Sequence, residues 1–446
     1  MHFRLLLGAL LLLHLPPSLA SAALRYTLRD CLEQGRAQNP DVQIAAKQIE
    51  QARANVVTAR AGAIPTLRTD GYFQQRQQNL ATSGGTNQNR SQDYTVAALL
   101  TQSLYSAGAV RERIAIAKTG VEIAAKNYFA VVETMTLNVK LAYYRVLFAD
   151  ASVRVRREAV QLLESQLRDQ QDRLRAGTVG SLNVSRAQVT LSNERPLLYQ
   201  AEADRATAYL QLAQVMGVAL KPGQRLPDFV VAGALDYAPR RFELTDCLAR
   251  AMASRPELEA RRLEIQVLER QTVVEKSGTL PQVSGFAGYQ LFSEPNPAAS
   301  KEYFSGYTIG INANWTLFDG LATPGRVRAV QARGAAARQA MRATELMVET
   351  EVRTALESLR QAGETIRSQS QNAGLANESL RLATGNFDAG LASQLDLLQG
   401  QVDLTRARLL ELAGRYGYLN AVARLERAMG TIDPKTLATA ASPIRK

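Results

Sequence analysis

The chain of 446 residues repeats itself once over nearly its whole length. Residues of the first half recur in the second half at spacings of 213 to 217 positions. The matched pairs include Leu28 and Leu244, Cys31 and Cys247, Pro40 and Pro256, Pro65 and Pro281, Gly177 and Gly390, and Gly217 and Gly430. A repeat of this length indicates two copies of one structural unit, so each fold element of the first half is expected twice.

The repeat also predicts how the chain is divided. Its start is typical of a signal peptide, with Arg4, an apolar stretch from Leu5 to Leu15, and a small-residue cleavage site between Ala22 and Ala23. We expect a signal peptide at 1–22, a first unit at 23–216, a connector at 217–242, a second unit at 243–430 and a C-terminal tail at 431–446. Each unit is predicted to contain, in order, a helix, two strands, a long helix and a further helix.

Two rare residue types argue against catalysis. The chain has two histidines, His2 and His14, and both lie in the leader. Histidine-dependent nucleophilic catalysis and imidazole metal sites are therefore excluded from the mature chain. Two cysteines are too few for a thiolate zinc site. We expect no enzymatic activity, no metal site and no cofactor.

A seven-residue apolar spacing runs through the middle of each unit. It comprises Ala125, Val132, Val139, Val146, Val153, Val160, Leu167 and Leu174 in the first unit, and Val352, Leu359, Ile366, Ala373, Leu380 and Phe387 in the second. This period is typical of coiled-coil packing. Residues 111–175 contain no proline, so a helix of roughly 100 Å is predicted there at about 1.5 Å per residue.

Glycines mark the ends of these helices. Gly177 and Gly390 stand where a left-handed helix cap is favoured, and new apolar helices begin near Leu182 and Leu395. The chain is therefore predicted to reverse at two tips. Pro196 is expected to kink the first returning helix, because it lacks an N–H group.

Alternating residues predict membrane strands. Residues 303–316 place apolar and aromatic side chains on one face and mostly polar side chains on the other. We predict strands at 303–316, 283–291, 94–100 and 68–75, with polar loops at 77–92 and 293–301. The pattern is typical of transmembrane barrel strands. The alternative is a soluble sheet of two hairpins packed on helices.

Four strands do not close a membrane barrel. Closed barrels need at least about eight strands, and an open edge in lipid leaves backbone groups unpaired. Several chains must therefore share one barrel. Two chains would give about eight strands and a filled interior, and three would give about twelve strands and room for a lumen. The number of strands per chain does not decide between two and three chains.

Short motifs at the element boundaries resemble the TolC-type outer membrane factor family over essentially the whole mature chain. They are Leu28 to Leu32 with Asn39-Pro40, Gln51 to Arg53 with Ile64-Pro65, Gln102 to Tyr105, Leu317 to Gly320, and Ala389-Gly390 with Leu395-Asp396. The resemblance implies a mainly α fold with membrane β structure. Long coiled-coil helices would form a periplasmic α-barrel, and four strands per chain would join a shared trimeric, twelve-stranded β-barrel.

The resemblance also implies a location and partners. The chain would be an exit duct in the outer membrane of a Gram-negative bacterium, extending into the periplasm. It would form a homotrimer, contact outer-membrane lipid, and work with a periplasmic membrane-fusion adaptor and an inner-membrane pump, either ABC-type or proton-driven. No nucleic-acid partner is expected.

In this family the periplasmic entrance closes at the helix tips. Asp396 matches a family carboxylate that faces the pore axis, so a trimer would place three copies in one ring and favour the passage of cations. The same residue is also explained as an ordinary solvated carboxylate at a helix start.

Other tip residues depart from the family pattern. Asn183 and Gln399 stand where related channels can have aspartates, and Ala392 stands where an arginine can bridge neighbours. We therefore expect the latch to use other groups, namely Asn183, Arg186 and Gln394.

Cys31 and Cys247 occupy equivalent positions of the two units. The oxidising periplasm favours a disulfide. However, units related by rotation around a wide barrel keep matching residues farther apart than the roughly 7 Å between Cα atoms that a disulfide tolerates. We expect two buried free thiols.

The net charge of +12 has two interpretations. Nucleic-acid binding would need a basic patch interleaved with aromatic residues, whereas these basic residues are spread over both units. We interpret them as solvated outer faces of long helices, on which arginine stems cover apolar surface. Such faces would also suit an acidic adaptor or an anionic cargo.

Two functions are compatible with the sequence. The first is a passive exit duct of a tripartite export system, opened at its periplasmic tip, for type I protein secretion or for efflux of small molecules. The second is a soluble periplasmic coiled-coil scaffold, which would lack a lipid-facing stripe.

Overall fold

The computed structural model describes residues 24–82, 85–293 and 303–430. The predicted signal peptide with its cleavage site at Ala22 and Ala23, most of the loop predicted at 293–301, and the C-terminal tail lie outside these residues.

The two halves contain the same elements in the same order. The first half comprises β1 (Leu24–Tyr26), α1 (Leu28–Gln38), α2 (Pro40–Ala61), β2 (Thr66–Thr82), β3 (Gly85–Tyr105), α3 (Ala109–Arg175) and α4 (Ser181–Met216). The second half comprises β4 (Phe229–Val231), α5 (Leu244–Ser254), α6 (Pro256–Lys276), β5 (Gln282–Ser293), β6 (Tyr303–Asn314), α7 (Ala322–Asp388) and α8 (Gln394–Ala428). This order confirms the predicted duplicated architecture.

The long helices α3 and α7 each contain 67 residues. At about 1.5 Å per residue, each is roughly 100 Å long, as predicted. The seven-residue spacing is buried in their middle parts, where Val139, Val146 and Val352 are 0% exposed. Across the described ranges, no helix combines enough length with enough apolar character to cross a bilayer.

The single helix predicted at the start of each unit is in fact two helices. The chain breaks at Asn39 and Arg255, and both residues have an extended backbone. Each precedes a proline, Pro40 or Pro256, whose ring disfavours the helical conformation of the residue before it. Asn39 also caps α2, because its side-chain oxygen accepts a hydrogen bond of 2.9 Å from the N–H of Asp41.

The helix α4 runs from Ser181 to Met216 with Pro196 inside it. Its end and the end of α8 are built alike. Gly217 has φ +74°, and a Cβ there would stand 2.4 Å from the carbonyl oxygen of Gln38. Gly430 has φ +67° and lies against the backbone of Ser254. In both halves, therefore, a glycine lets the returning helix end against the end of the first short helix.

The long strands form one antiparallel sheet in the order β2, β3, β5, β6. The first two strands are longer than predicted, since they pair from Thr66 and Thr101 as far as Thr82 and Gly85. The prediction of a loop at 77–92 is therefore wrong for most of that range. The pairing over this range is made by backbone groups, which do not require an apolar sequence.

The connector at 217–242 contains a strand that the sequence did not predict. β4 pairs in parallel with β1, and each strand has three residues, too few to show an alternating pattern.

Two tyrosine hydroxyls fix the connector to the long hairpins. Tyr143 donates to the carbonyl of Ala232, and Tyr418 donates to the carbonyl of Ala238 at 3.2 Å.

Next to the sheet, the helices follow the order of the strands. α2, α3, α6 and α7 pack side by side in that order. Farther from the sheet the order is α4, α3, α8, α7. The described part of one chain therefore forms a wall that is four helices wide, with its edges at α2 or α4 and at α7. The two largest core clusters lie within this wall, one around Val139 and Val146 and the other around Val348 and Val352.

Candidate functional site

One face of the four-stranded sheet is apolar and exposed. Directly opposed residues of antiparallel strands point to the same face. The register therefore groups Leu67 and Phe73 of β2, Val96 and Leu100 of β3, Tyr289 and Leu291 of β5, and Tyr307, Ile309 and Ile311 of β6. Tyr307 is 83% exposed and Ile309 is 75% exposed. We call this surface the apolar face.

The apolar face argues against a soluble sheet packed on helices. Soluble monomers rarely expose a contiguous apolar surface that spans four strands. Lipid is the environment that such a surface fits, and the alternation of apolar and polar faces is typical of barrel strands.

The two outer strands of the sheet, β2 and β6, each have one neighbour. Within the described part of one chain, their outer backbone groups are therefore unpaired. In lipid, each unpaired backbone group costs several kcal/mol. A sheet that lies in a membrane must therefore have these two edges covered by further strands.

The long helices end in the same type of turn. At the first tip, the N–H of Gly177 donates to the carbonyl of Leu174 and the N–H of Thr178 donates to that of Arg173, both at 2.9 Å. The second tip repeats this pair of bonds around Gly390. The φ angles of Gly177 and Gly390 are +71° and +76°, in the left-handed region that favours glycine. The chain reverses direction at both glycines.

Asp396 lies in the first turn of α8. Its carboxylate accepts hydrogen bonds from the N–H of Ser393 at 2.9 Å and from the hydroxyl of Ser393 at 2.7 Å. The Ser393 hydroxyl in turn accepts from the N–H of Asp396, which completes a capping box. The bonds from the Ser393 side chain and backbone lower the pKa of Asp396. Asp396 is exposed, so its carboxylate is charged and faces solvent at neutral pH.

The tips of the two hairpins meet through polar groups. The side-chain N–H of Gln394 donates to the carbonyl oxygen of Asn183 at 3.0 Å, and Gln394 is 5% exposed. The guanidinium of Arg173 lies over the ring of Phe387, 5.5 Å from its centroid. Both contacts join the first unit to the second.

The structure brings together only part of the predicted latch. Asn183 meets Gln394 through its backbone carbonyl rather than its side chain. Arg186 is exposed, and within the described ranges its guanidinium has no ion-pair partner. Gln399 donates to the carboxylate of Asp403 at 3.0 Å, inside its own helix.

A chain of five charged side chains crosses the boundary between the two units. We call it the junction network: Glu133 of α3, Arg427 of α8, Glu257 of α6, Arg255 before α6, and Glu351 of α7. Guanidinium nitrogens of Arg427 lie 3.4 Å from a carboxylate oxygen of Glu133 and 2.5 Å from one of Glu257. The guanidinium of Arg255 lies 3.6 Å from the same carboxylate of Glu257 and also contacts the carboxylate of Glu351. Glu133 is 6% exposed and Arg255 is 2% exposed.

The junction network is incompletely hydrogen-bonded. Four of its atoms are buried and have no hydrogen-bond partner among the described residues, namely Glu133 Oε2, Arg427 Nη1, Glu257 Oε2 and Arg255 Nε. Burial raises the pKa of Glu133 to about 7; Arg427 opposes this shift and Glu257 adds to it. Burial also raises the pKa of Glu257. A cavity of about 620 Å³ adjoins Glu133 and Arg427, and its other charged lining residues are Arg29, Glu33, Arg36, Lys140, Arg240, Arg250 and Glu426.

Sequence reasoning missed the junction network. One available signal was Glu133 itself, a carboxylate directly beside Val132 of the buried seven-residue spacing. The other four members of the network come from three distant segments, which no local pattern connects.

Cys31 and Cys247 are both buried and neither forms a disulfide. They lie in different core clusters, Cys31 with α3 and α4, and Cys247 with α7 and α8. Burial raises the pKa of Cys31 to about 12, so its thiol is protonated and unreactive in the folded chain.

Comparison with known proteins identifies relatives along most of the chain. A profile of the family described as outer membrane efflux protein matches residues 31–218 and 247–431, one stretch in each half. Nodulation protein T of Rhizobium leguminosarum bv. trifolii is 22% identical over 416 residues, which are 90% of this chain and 85% of that protein. Outer membrane protein TolC of Vibrio cholerae is 24% identical over 423 residues, 93% of each chain.

A solved structure has the same fold. The CmeC outer membrane channel of Campylobacter jejuni superimposes with a TM-score of 0.76 at 16% identity, covering 93% of this chain and 89% of CmeC. The predicted fold of long helices and few strands is thereby confirmed. The family profile spans well over half of the sequence, and it confirms the predicted outer-membrane location and the role in export. The chain therefore belongs to the outer membrane efflux protein family and is an outer-membrane exit duct.

Proposed function

We propose that three copies of the chain close into one duct. The observation that carries this proposal is the pair of unpaired strand edges, β2 and β6, on a sheet whose apolar face is exposed. Joining β6 of one copy to β2 of the next covers every edge. Three copies would give about twelve strands, which leaves room for a lumen, whereas two would give about eight and a filled interior.

The helices extend the same arrangement into the periplasm. Each wall ends at α7 on one side and at α2 or α4 on the other. Three walls joined edge to edge form an α-barrel that continues the strand barrel. Within each wall we propose the two structural units at 23–216 and 243–430, linked by the connector at 217–242.

The duct is a passive conduit whose controlled step is the opening of the tips. A periplasmic adaptor and an inner-membrane pump supply energy and select cargo. Asp396 supplies a ring of three carboxylates near the entrance, with Gln399 and Asn183 as neutral neighbours. The exposure of Asp396 at the start of α8 supports this role, because an exposed carboxylate beside the tip can present its charge to the entrance.

The experiment is extraction of the outer-membrane fraction in detergent, mass measurement of the purified complex, and recording in planar bilayers. We expect a trimer that conducts and favours cations. A soluble monomer would overturn the duct in favour of a periplasmic scaffold. Recovery of a dimer with no conductance would overturn the closure by three copies.

A further inference from the structure

A groove of about 570 Å³ lies where β3 meets the helices. Its walls come from the end of α2, the end of β3, the first three turns of α3, and α6. In the proposed duct this junction is the periplasmic border of the membrane-embedded sheet, so a role for the groove at the membrane rests on the proposed function.

The groove borders the apolar face. Leu104, one of its lining residues, is 58% exposed, and its Cδ1 lies 3.4 Å from the position that a Cβ on Gly285 would take. Gly285 is paired with Ile311, which belongs to the apolar face. A molecule in the groove therefore contacts the same surface that lipid chains would cover.

The lining of the groove is positively charged. It includes Arg111, Lys118 and Arg270, and it includes no carboxylate. Arg111 and Lys118 are seven residues apart on α3, so both lie on one side of that helix. Both are exposed, and in the part of the chain that the structure describes neither has an ion-pair partner. Arg270 is paired with Glu112 at 2.9 Å.

Ser106, between β3 and α3, adds a hydroxyl group to the lining. Cationic side chains together with hydroxyl groups are the usual partners of a phosphate. Apolar side chains directly beside them, here Leu104 and Ile114, suit acyl chains. A single ligand that offers both kinds of surface is a phospholipid, and two unpaired cations favour an anionic one.

We propose that this groove binds the phosphate headgroup of an anionic phospholipid, whose acyl chains extend along the apolar face. Arg111 and Lys118 hold the headgroup, and Leu104 contacts the first part of the chains. The groove anchors the duct at a fixed depth in the periplasmic leaflet.

The second unit lacks this site. Positions 213 residues farther along carry Asp319 for Ser106, Pro324 for Arg111 and Gln331 for Lys118. The carboxylate of Asp319 accepts from the N–H of Thr323 at 2.7 Å and lies 3.7 Å from Arg326, which also pairs with Glu275 at 3.4 Å. The second junction therefore lacks both cations that hold the headgroup in the first, and its carboxylate Asp319 disfavours an anion.

The test measures binding of fluorescent short-chain phosphatidylglycerol and phosphatidylcholine, with identical acyl chains, to the purified trimer in detergent. We expect phosphatidylglycerol to bind at least tenfold more tightly. The double variant Arg111→Gln/Lys118→Gln removes most of this preference, and each single variant removes part of it. The matched control, Arg328→Gln/Arg333→Gln, removes the same charge from exposed positions of α7 and keeps the preference.

Three outcomes would overturn the site. They are equal binding of the two lipids, equal losses in both double variants, and displacement of phosphatidylglycerol by inorganic phosphate at similar concentration, which would indicate a site for free anions. Trimer mass and conductance are measured on the same preparations. Conducting trimers without a lipid preference contradict this inference alone, whereas failure to obtain a conducting trimer contradicts the proposed function.

Discussion

The side chain of Gln394 is hydrogen-bonded to the backbone carbonyl of Asn183 at 3.0 Å, and so ties the tip of the second hairpin to that of the first. Replacing Gln394 by Ala removes this bond, which is worth about 1 kcal/mol. We predict that the open fraction of single channels rises about fivefold, since about 1.4 kcal/mol corresponds to a factor of ten. The control is Thr384→Val, which removes a bond within α7 only. Equal open fractions in both variants would assign closure to other contacts.

Asp396 combines a charge with a helix cap, and two variants separate these roles. Asp396→Asn removes the charge, whereas Ser393→Ala removes the hydroxyl that caps α8 and leaves the charge in place. Cation preference in bilayer recordings is predicted to fall in Asp396→Asn and to persist in Ser393→Ala. A preference that is unchanged in Asp396→Asn would show that this carboxylate does not face the conducting path.

The raised pKa of Glu133 links the stability of the junction between the units to pH. An unfolded glutamate has a pKa of 4.5 and the folded one about 7, so between these values the folded chain binds the proton more readily. The free energy of unfolding is therefore predicted to decrease as pH rises through this window. Glutamine does not titrate, so Glu133→Gln should remove most of this dependence of the free energy of unfolding on pH. A smaller dependence in the same direction should remain, because the pKa of Glu257 is also raised.

Thermal unfolding of the purified protein between about pH 5 and about pH 8 measures this slope. Glu349→Gln is the control, because Glu349 is paired with Arg353 on the exposed surface of α7. An identical slope in wild type and Glu133→Gln would place the pH dependence elsewhere.

Neighbouring residues of β6 test the lipid contact. Ile309 belongs to the apolar face and Thr308 points to the opposite face, and both are exposed in the single chain. A lysine that faces lipid costs about 2–4 kcal/mol near the bilayer midplane. We predict that Ile309→Lys sharply reduces the trimer recovered from the outer membrane and that Thr308→Lys does not. Equal recovery would mean that the apolar face does not meet lipid.

Two glycines with the same backbone conformation are predicted to differ in their tolerance of alanine. Gly177 has φ +71° with open space around it, so Gly177→Ala costs about 1–2 kcal/mol of backbone strain. Gly217 has φ +74°, but its Cβ would also clash with the carbonyl oxygen of Gln38 at 2.4 Å. Gly217→Ala should therefore destabilise the protein more than Gly177→Ala in chemical denaturation. Equal effects would show that the end of α1 can move away.

The features that sequence predicted are those with a long local pattern. The apolar spacing through Val139, Val146 and Val352 repeats over many turns, so the long helices and their buried side could be recognised. The turns at Gly177 and Gly390 could also be recognised from sequence, because glycine is the residue that a left-handed cap favours. Ser393 and Asp396 have the spacing of a capping box, which is also readable from sequence.

The features that it missed depend on distant partners or on very short segments. The three-residue strands β1 and β4 show no period. The sequence beyond residue 77 is polar and gives no strand pattern, although the backbones of β2 and β3 remain paired there. The pairing of Gln394 with the backbone of Asn183, and the junction network around Arg427, join segments that lie far apart in the chain.

The equal lengths of α3 and α7, 67 residues each, limit how such a duct can evolve. Both helices start beside the sheet and end at tips that must reach a common plane if an adaptor is to seal against them. A deletion in one helix alone would move its tip out of the plane of the others. Reach across the periplasm can therefore change only by matched insertions or deletions in both halves, in steps of about seven residues, or about 10 Å, that preserve the apolar spacing.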